Sequence, residues 1–576
     1  MLAASVAAGL PVLRNAVNAL RIKVIGIDLL VAVAATGAII VGDYWEAAAV
    51  TFLFALGHAL ENATLAKTRS ALSELVALAP TTATVIRDGE QIEVPAWQVA
   101  KGETVVVKNG GRIPVDGKVL TGQAAVDEAA ITGESIPAEK AEGALVYSGT
   151  IVADGFLTVE ATGVGADTTL ARIVHRVEEA QDAKARTQQF LERFSAWYTP
   201  GIIVMALVVG LLTRDTHLAL TLLVIGCPGA LVISVPVALV AGIGRAARDG
   251  VLIKGGEFLE TAAKIDVVAL DKTGTITRGE PALTSVHARD GFSDDDVVRL
   301  AALAEAGSEH PLALPVLAEA KSRSIEIPAT PESVESVPGQ GVVAQTQAGR
   351  IAVGNLTLVG DDRWAAHVVD ELAGSGQTPL VVAVDGTVVG ALGVADTIRD
   401  DAAGLVASLR RAGVSKVLML TGDNELVARA IAEKVGIDDV RAGLLPEDKL
   451  AAIQELQAQG HTVAMVGDGV NDAPGLALAN VGIAMGAAGS AVAVETADIA
   501  LMNSRLSLIP HAIDLAKRTA SIMRANIVIA LVTVGALLAG VLFGGVTMSI
   551  GMLVHEASVL VVILNAMRLL QPKTRG

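Results

Sequence analysis

The chain has 576 residues, 52% of them hydrophobic, 18% charged and 3% aromatic, with a formal net charge of −17 and a mean hydropathy of +0.55. These values exclude a disordered polymer and a collagen-like fibre, and a single cysteine excludes internal disulfides and multi-cysteine zinc modules. So apolar an average beside so much acid points to a membrane protein with acidic soluble domains, and the acidic balance argues against nucleic acid as a partner.

Near the N-terminus, residues 24–42 are interrupted only by Asp28, and 47–60 form a weaker apolar run. Charge-free runs follow at 194–213, 217–244 and 525–555, and Glu556 is the one formal charge between the last of these and Arg568. A bilayer-spanning helix takes about 20 mostly apolar residues. The last run is long enough for two, broken near Phe543, Gly544 and Gly545, so six spans in three hairpins are expected. Lys and Arg cluster at one end of these hairpins (Arg21 and Lys23, Arg245 and Arg248, Lys517 and Arg518), while the turns near Asp43 and Phe543 have none. The positive-inside rule then predicts a multi-pass protein of the inner or plasma membrane with both termini and both large loops cytoplasmic. No basic residue precedes the first charge-free stretch, 1–13, so no cleavable signal peptide is expected.

Two insertions separate the hairpins. Residues 70–185 alternate short Val- and Ile-rich runs with Gly, Asp and Pro turns, the pattern of a small β-rich domain. Residues 250–515 alternate strand-like runs, at 266–270, 416–420 and 462–466, with polar turns and helices. This is the pattern of a doubly wound α/β domain, whose ligands gather at the carboxyl ends of the strands.

The chemistry-bearing residues fall at those ends. Asp271-Lys272-Thr273-Gly274-Thr275 puts a carboxylate directly after a strand and before a turn of N–H and hydroxyl donors, which suits a nucleophile toward phosphorus. Alone it could equally be an ordinary strand-ending turn. Thr421-Gly422-Asp423, Lys449 in Pro446-Glu447-Asp448-Lys449, and Gly467-Asp468-Gly469-Val470-Asn471-Asp472 follow at successive crossovers. A hydroxyl, an ammonium and paired carboxylates are what an aspartyl-phosphate site needs: Thr421 and Lys449 to offset phosphoryl charge, Asp468 and Asp472 to hold Mg2+.

With these motifs together, the chain resembles the P-type ATPases. Asp271 to Thr277 looks like the family's phosphorylation sequence, Gly467 to Pro474 like its Mg2+ hinge, and Thr132-Gly133-Glu134-Ser135 like its dephosphorylation loop. The resemblance implies an α-helical transmembrane bundle, a β-rich actuator domain, and a haloacid-dehalogenase-like α/β phosphorylation domain carrying an α+β nucleotide-binding insertion. The expected boundaries are 1–69 (spans 1–2), 70–185 (actuator), 186–249 (spans 3–4), 250–280 with 390–515 (phosphorylation), 281–389 (nucleotide-binding) and 516–576 (spans 5–6). It also implies that Asp271 accepts the γ-phosphoryl of ATP, with Lys272, Thr273, Thr421, Gly422, Asp423 and Lys449 in the catalytic site. Glu134 positions the later hydrolytic water, and Asp271, Thr273, Asp468 and Asp472 hold Mg2+. Ser308-Glu309-His310-Pro311 resembles the His-Pro signature of the heavy-metal branch, and Gly339 and Gly341 its glycine turn at adenine, so Glu309, His310, Gly339 and Gly341 are expected to bind ATP.

The fourth expected span contains Gly226-Cys227-Pro228-Gly229, where proline must break or kink the helix and free carbonyls beside a sulfur. The sixth holds His555, Glu556 and Ser558, and an intramembrane carboxylate is a functional-site hypothesis by default. Cys227 matches the first position of the branch's Cys-Pro-Cys motif, Gly229 departs from it, and His555-Glu556-Ala557-Ser558 is similar to the zinc/cobalt-like subgroup. Sulfur, imidazole and carboxylate suit Zn2+, Cd2+ or Co2+. Met548 and Met552 keep Cu(I) open, and a non-translocating membrane phosphatase or metal sensor is the alternative of another class. Gly9 to Arg14 looks like the end of the second of two extra helices usual in the branch. The expected function is ATP-driven export of a divalent transition metal by a monomer, with room for a cytosolic metal donor.

Overall fold

The computed structural model describes residues 2–21, 27–57, 59, 80–128, 137–182, 185–226, 228–306, 308, 312–327, 331–337, 340–468, 472–486 and 497–571. The chain divides into two compact units: residues 1–264, 498–503 and 512–576, and residues 265–497 and 504–511.

In the first unit, seven antiparallel strands between residues 82 and 163 form one sheet. Their order is Glu90–Pro95, Thr82–Arg87, Thr104–Val107, Ile151–Gly163, Asp116–Asp127, Ala138–Lys140, with Leu145–Val146 also on Asp116–Asp127. Alternation drives it: Val105 and Val107 are buried while Thr104 and Val106 are half-buried, and the inward set joins Val85, Val119, Val126, Leu157 and Val159 in one core. Gly155 has φ +88°, and a Cβ there would press on the backbone of Gln123 and Ala124 in the facing strand, so only glycine lets the two long strands meet. Buried Asp116 ties the sheet to the helix Thr169–Asp182: its carboxylate accepts from the Ser148 N–H at 2.8 Å and from the N–H and hydroxyl of Thr169 at 2.5 and 2.7 Å.

The same unit holds the apolar helices. Four are long and apolar enough to cross a membrane: Arg186–Thr213, Thr216–Arg248, Leu508–Leu542 and Met548–Leu570. Leu29–Val41 and Tyr44–Gly57, where the first two of six expected spans fall, are shorter apolar helices flanked by residues outside the described set. Outward faces carry Trp197, Leu212 and Phe543, each more than 80% exposed, as a lipid-facing surface requires. Inside, Asn526 is fully buried, and its amide donates to Ser234 O at 3.4 Å and Val562 O at 3.2 Å while its oxygen accepts from Asn565 at 2.8 Å. One side chain therefore joins three helices.

In the second unit, the expected strands appear as Val267–Asp271, Lys416–Leu420 and Val463–Gly467. They are adjacent and parallel in the order Asp439–Arg441, Lys416–Leu420, Val267–Asp271, Val463–Gly467, Val481–Ala484. They read as continuous apolar runs because both faces are covered. A second, antiparallel sheet has six strands in the order Thr277–Ala288, Thr387–Ile398, Thr378–Val384, Gly349–Gly354, Gly341–Thr346, Ser333–Val337. The helix Asp294–Glu305 packs on it through Val297, Val298, Ala301 and Ala304. That helix starts where the Ser293 hydroxyl accepts from the Asp296 N–H at 3.2 Å and Asp296 accepts from the Ser293 N–H at 3.1 Å.

Candidate active site and membrane site

Asp271 ends a fully buried strand in register with Leu420, which brings Thr421 of the neighbouring strand end beside it. The chain then makes a wide turn over Lys272–Ile276, in which Gly274 takes φ +72°. Lys449, in the first turn of the helix Pro446–Ala458, reaches back to the strand ends. Its Nζ lies 2.5 Å from Asp271 Oδ1 and 3.0 Å from Asp472 Oδ1. Lys272 pairs with Asp423 Oδ2 at 2.5 Å, and the Thr421 hydroxyl accepts from the Asp423 N–H at 3.1 Å. Asp468 flanks Gly274, where an added Cβ would lie 3.3 Å from Asp468 Cβ. Asp271, Lys272, Thr421, Gly422, Asp423, Lys449, Asp468 and Asp472 thus gather at one end of the sheet, and a cavity of about 190 Å3 beside Lys449, Asp472 and Gly422 opens there.

Charge is crowded in this pocket. Burial, and then the negative charge of Asp472, push Asp271 up to about 6 against the pull of Lys449, a bias of about 3 kcal/mol against the anion. Burial likewise raises Asp472, with Lys449 opposing. Burial alone would lower Lys449, but the charges and hydrogen bonds of Asp271 and Asp472 hold it above the ordinary lysine value.

A second cavity, of about 340 Å3, lies over the antiparallel sheet and is lined by Glu305, Ser308, Gln340, Gly341, Asn355 and Thr378 among others. Gly341, one of the residues expected to bind ATP, lines this cavity. Glu309, His310 and Gly339 lie outside the described residues, as do Glu134 and the rest of its loop, and Cys227.

In the apolar unit, the helix Thr216–Ile225 stops at Gly226 and a new helix, Gly229–Arg248, starts after Pro228, whose carbonyl accepts from the N–H groups of Leu231 and Val232 at 3.0 Å. The expected break is present. On Met548–Met567, His555, Glu556 and Ser558 are all buried, at 1, 9 and 7% exposure. The Ser558 hydroxyl donates to His555 O at 2.7 Å. Among the described residues neither ring nitrogen of His555 has a hydrogen-bond partner. The Glu556 carboxylate lies against Gly57, where any Cβ would collide with it.

Residues 265–480 match the family model for haloacid dehalogenase-like hydrolases, and residues 77–178 match that for the P-type ATPase actuator domain. The probable copper-exporting P-type ATPase V of Mycobacterium tuberculosis (strain ATCC 25618 / H37Rv) is 43% identical over 536 residues, 89% of this chain and 69% of that protein. The zinc/cadmium/lead-transporting P-type ATPase of Escherichia coli (strain K12) is 40% identical over 571 residues, 97% of this chain and 77% of that one. The chain belongs to the P-type ATPases. A crystal structure of a zinc-transporting PIB-type ATPase in the E2.Pi state superposes on it with a TM-score of 0.61 at 40% identity, covering 98% of this chain and 94% of that one. The resemblance to the heavy-metal branch is borne out, and the ATPase is an ATP-hydrolysing heavy-metal transporter of a membrane.

Sequence reading of the ATPase passed over three sets of residues that the geometry brings forward. Glu305, five positions before His310, is buried at the cavity over the antiparallel sheet, and Asn355 lines the same cavity. Arg399 donates from Nε to Thr275 O at 2.8 Å and from a terminal nitrogen to Gly274 O at 2.9 Å, and so clamps the turn after Asp271. Asp396 accepts from the Thr277 hydroxyl at 2.5 Å and from the N–H groups of Gly279 and Glu280 at 3.1 Å.

Proposed function

We propose that this P-type ATPase exports a divalent transition-metal cation, Zn2+, Cd2+ or Co2+, by transient phosphorylation of Asp271. The observation that carries the reading is Lys449 bridging Asp271 and Asp472 at the carboxyl ends of parallel strands. The Asp271 carboxylate attacks the γ-phosphorus of ATP, an oxygen–phosphorus bond forms, and the bond to ADP breaks. Water positioned by Glu134 later attacks the phosphorus, releasing phosphate and restoring the carboxylate. Lys449 and Thr421 offset phosphoryl charge, and Lys272 holds Asp423 in place. ATP enters with its base in the cavity of Gly341, Glu305 and Asn355, and Glu309, His310 and Gly339 bind it in this reading.

The donor set fits Mg2+: negative charge is crowded enough to push Asp271 up to about 6, and a small cation that prefers carboxylate oxygens would relieve it. Asp271, Asp468 and Asp472, with Thr273, would hold the ion, which supplies positive charge to the phosphoryl oxygens when bound.

Cys227, His555, Glu556 and Ser558 form the transported-ion site in this reading, supported by the helix break around Pro228 and by the two nitrogens of His555, unpartnered among the described residues. In this reading both termini and the large loops face the cytoplasm, six spans cross the inner or plasma membrane, the domains run 1–69, 70–185, 186–249, 250–280 with 390–515, 281–389 and 516–576, and the pump is a monomer open to a cytosolic metal donor. Cu(I) is the second reading, favoured by the relative named as copper-exporting. The test is metal-stimulated ATPase activity across a panel of ions in parent, Asp271→Asn, Cys227→Ala and Glu556→Ala. Parental hydrolysis by Asp271→Asn refutes the nucleophile, and unchanged metal dependence in the other two refutes the pathway.

A further inference from the structure

The helix Met548–Met567 changes character along its buried face. Towards its C-terminal end this face is aliphatic, with Val559, Val562, Ile563 and Ala566 buried; towards its N-terminal end it carries Met548, Met552 and His555, at 2, 1 and 1% exposure. The spacing of four and then three residues stacks the two thioethers and the imidazole in one line, neighbours about 5–6 Å apart at Cβ. Met548 and Met552 pack in one cluster with Val224 and Leu220, from the helix that ends at the Gly226–Gly229 break, and with Phe54 and Val50. The two helices touch closely at this level, because Gly551 leaves the space that Ile225 fills. His555 ends the line with both ring nitrogens unpartnered among the described residues.

We infer that Met552 and Met548 form a thioether step next to His555, on the side of the turn at 543–547, through which the transported cation leaves. This rests on the pump reading and sharpens its substrate class. Thioethers are neutral, so they hold a cation more loosely than the carboxylate and imidazole behind them and let it go. They are also soft, so the step favours Cd2+ and Cu(I) over Zn2+ and Co2+. The cation exchanges one ligand for the next with no change of oxidation state.

The test uses the full chain in sealed vesicles, comparing Cd2+- and Zn2+-driven turnover per phosphorylatable site so that only folded enzyme is counted. In the double variant Met548→Leu with Met552→Leu, Cd2+ turnover should fall about tenfold while Zn2+ turnover stays within about twofold. Met552→Cys, which retains a soft sulfur, should keep the parental Cd2+ to Zn2+ ratio. If the double variant leaves that ratio unchanged while the parent is metal-stimulated, the two methionines are packing residues and the step is refuted. If no metal stimulates the parent, the pump reading itself falls, and the step with it.

Discussion

Lys449 Nζ lies 2.5 Å from Asp271 Oδ1, close enough that the charge state of each is set by the other. Asp271 must be ionised to attack phosphorus, and burial holds it up to about 6 even with Lys449 in place. Without bound Mg2+ the Asp271 carboxylate is therefore lost as pH falls through about 6, and raising Mg2+ should move the acid limb of phosphorylation to lower pH. In Lys449→Met the anion loses its cation, Asp271 rises further, and the acid limb should move to higher pH. Initial rates of labelling by radioactive ATP across pH measure this, and an unmoved acid limb would refute the coupling. The same shift has a stability consequence. The native state binds this proton more tightly than the unfolded chain, so the contribution of Asp271 is present at low pH and lost as pH rises through about 6.

Arg399 touches no reacting atom in this reading; it holds the carbonyls of Gly274 and Thr275 so that the turn's N–H groups face the phosphoryl position. Replacing it with Met should slow phosphorylation by up to about 100-fold, the order expected when reacting groups drift by about 1 Å. The KM for ATP should hardly change. Lys cannot reproduce the two-pronged contact, so Arg399→Lys should rescue poorly. Single-turnover phosphorylation separates rate from affinity, and a change in KM alone would count against this positioning role.

Glu305 and Asn355 sit at the other cavity, remote in sequence from the phosphorylation turn. Glu305→Gln and Asn355→Ala should raise the KM for ATP and leave kcat at saturating ATP near the parental value, the signature of lost uniform binding. Steady-state kinetics decide it; a fall in kcat with unchanged KM would move both residues out of the nucleotide site.

Gly274 takes φ +72° with Asp468 directly beyond it. Gly274→Ala should cost about 1–2 kcal/mol of backbone strain and displace Asp468, lowering both the thermal midpoint and the phosphoenzyme level. An alanine variant with parental phosphorylation would show that the turn tolerates another conformation.

Much of this was legible because the physics is local. The strands at 267–271, 416–420 and 463–467 declare themselves as apolar runs ending in acid or hydroxyl, and parallel pairing then forces their ends together. That is why Asp271, Thr421 and Asp468 could be grouped from sequence. The clamp of Arg399 could not be read the same way, since its partners are backbone carbonyls 124 and 125 positions away, and carbonyls have no sequence signature. Glu305 was passed over in favour of Glu309 because burial, not residue type, separates them, and burial follows from how the helix Asp294–Glu305 turns on its sheet.

Asn526 gives the membrane helices a mechanical division of labour. Its one amide donates to Ser234 O on one helix and to Val562 O on another, so sliding its own helix past either would break a buried hydrogen bond. Around Pro228 the ladder is not continuous: one helix ends at Ile225 and the next begins at Gly229. The polar tie and the helix break thus lie at different positions of the same apolar unit.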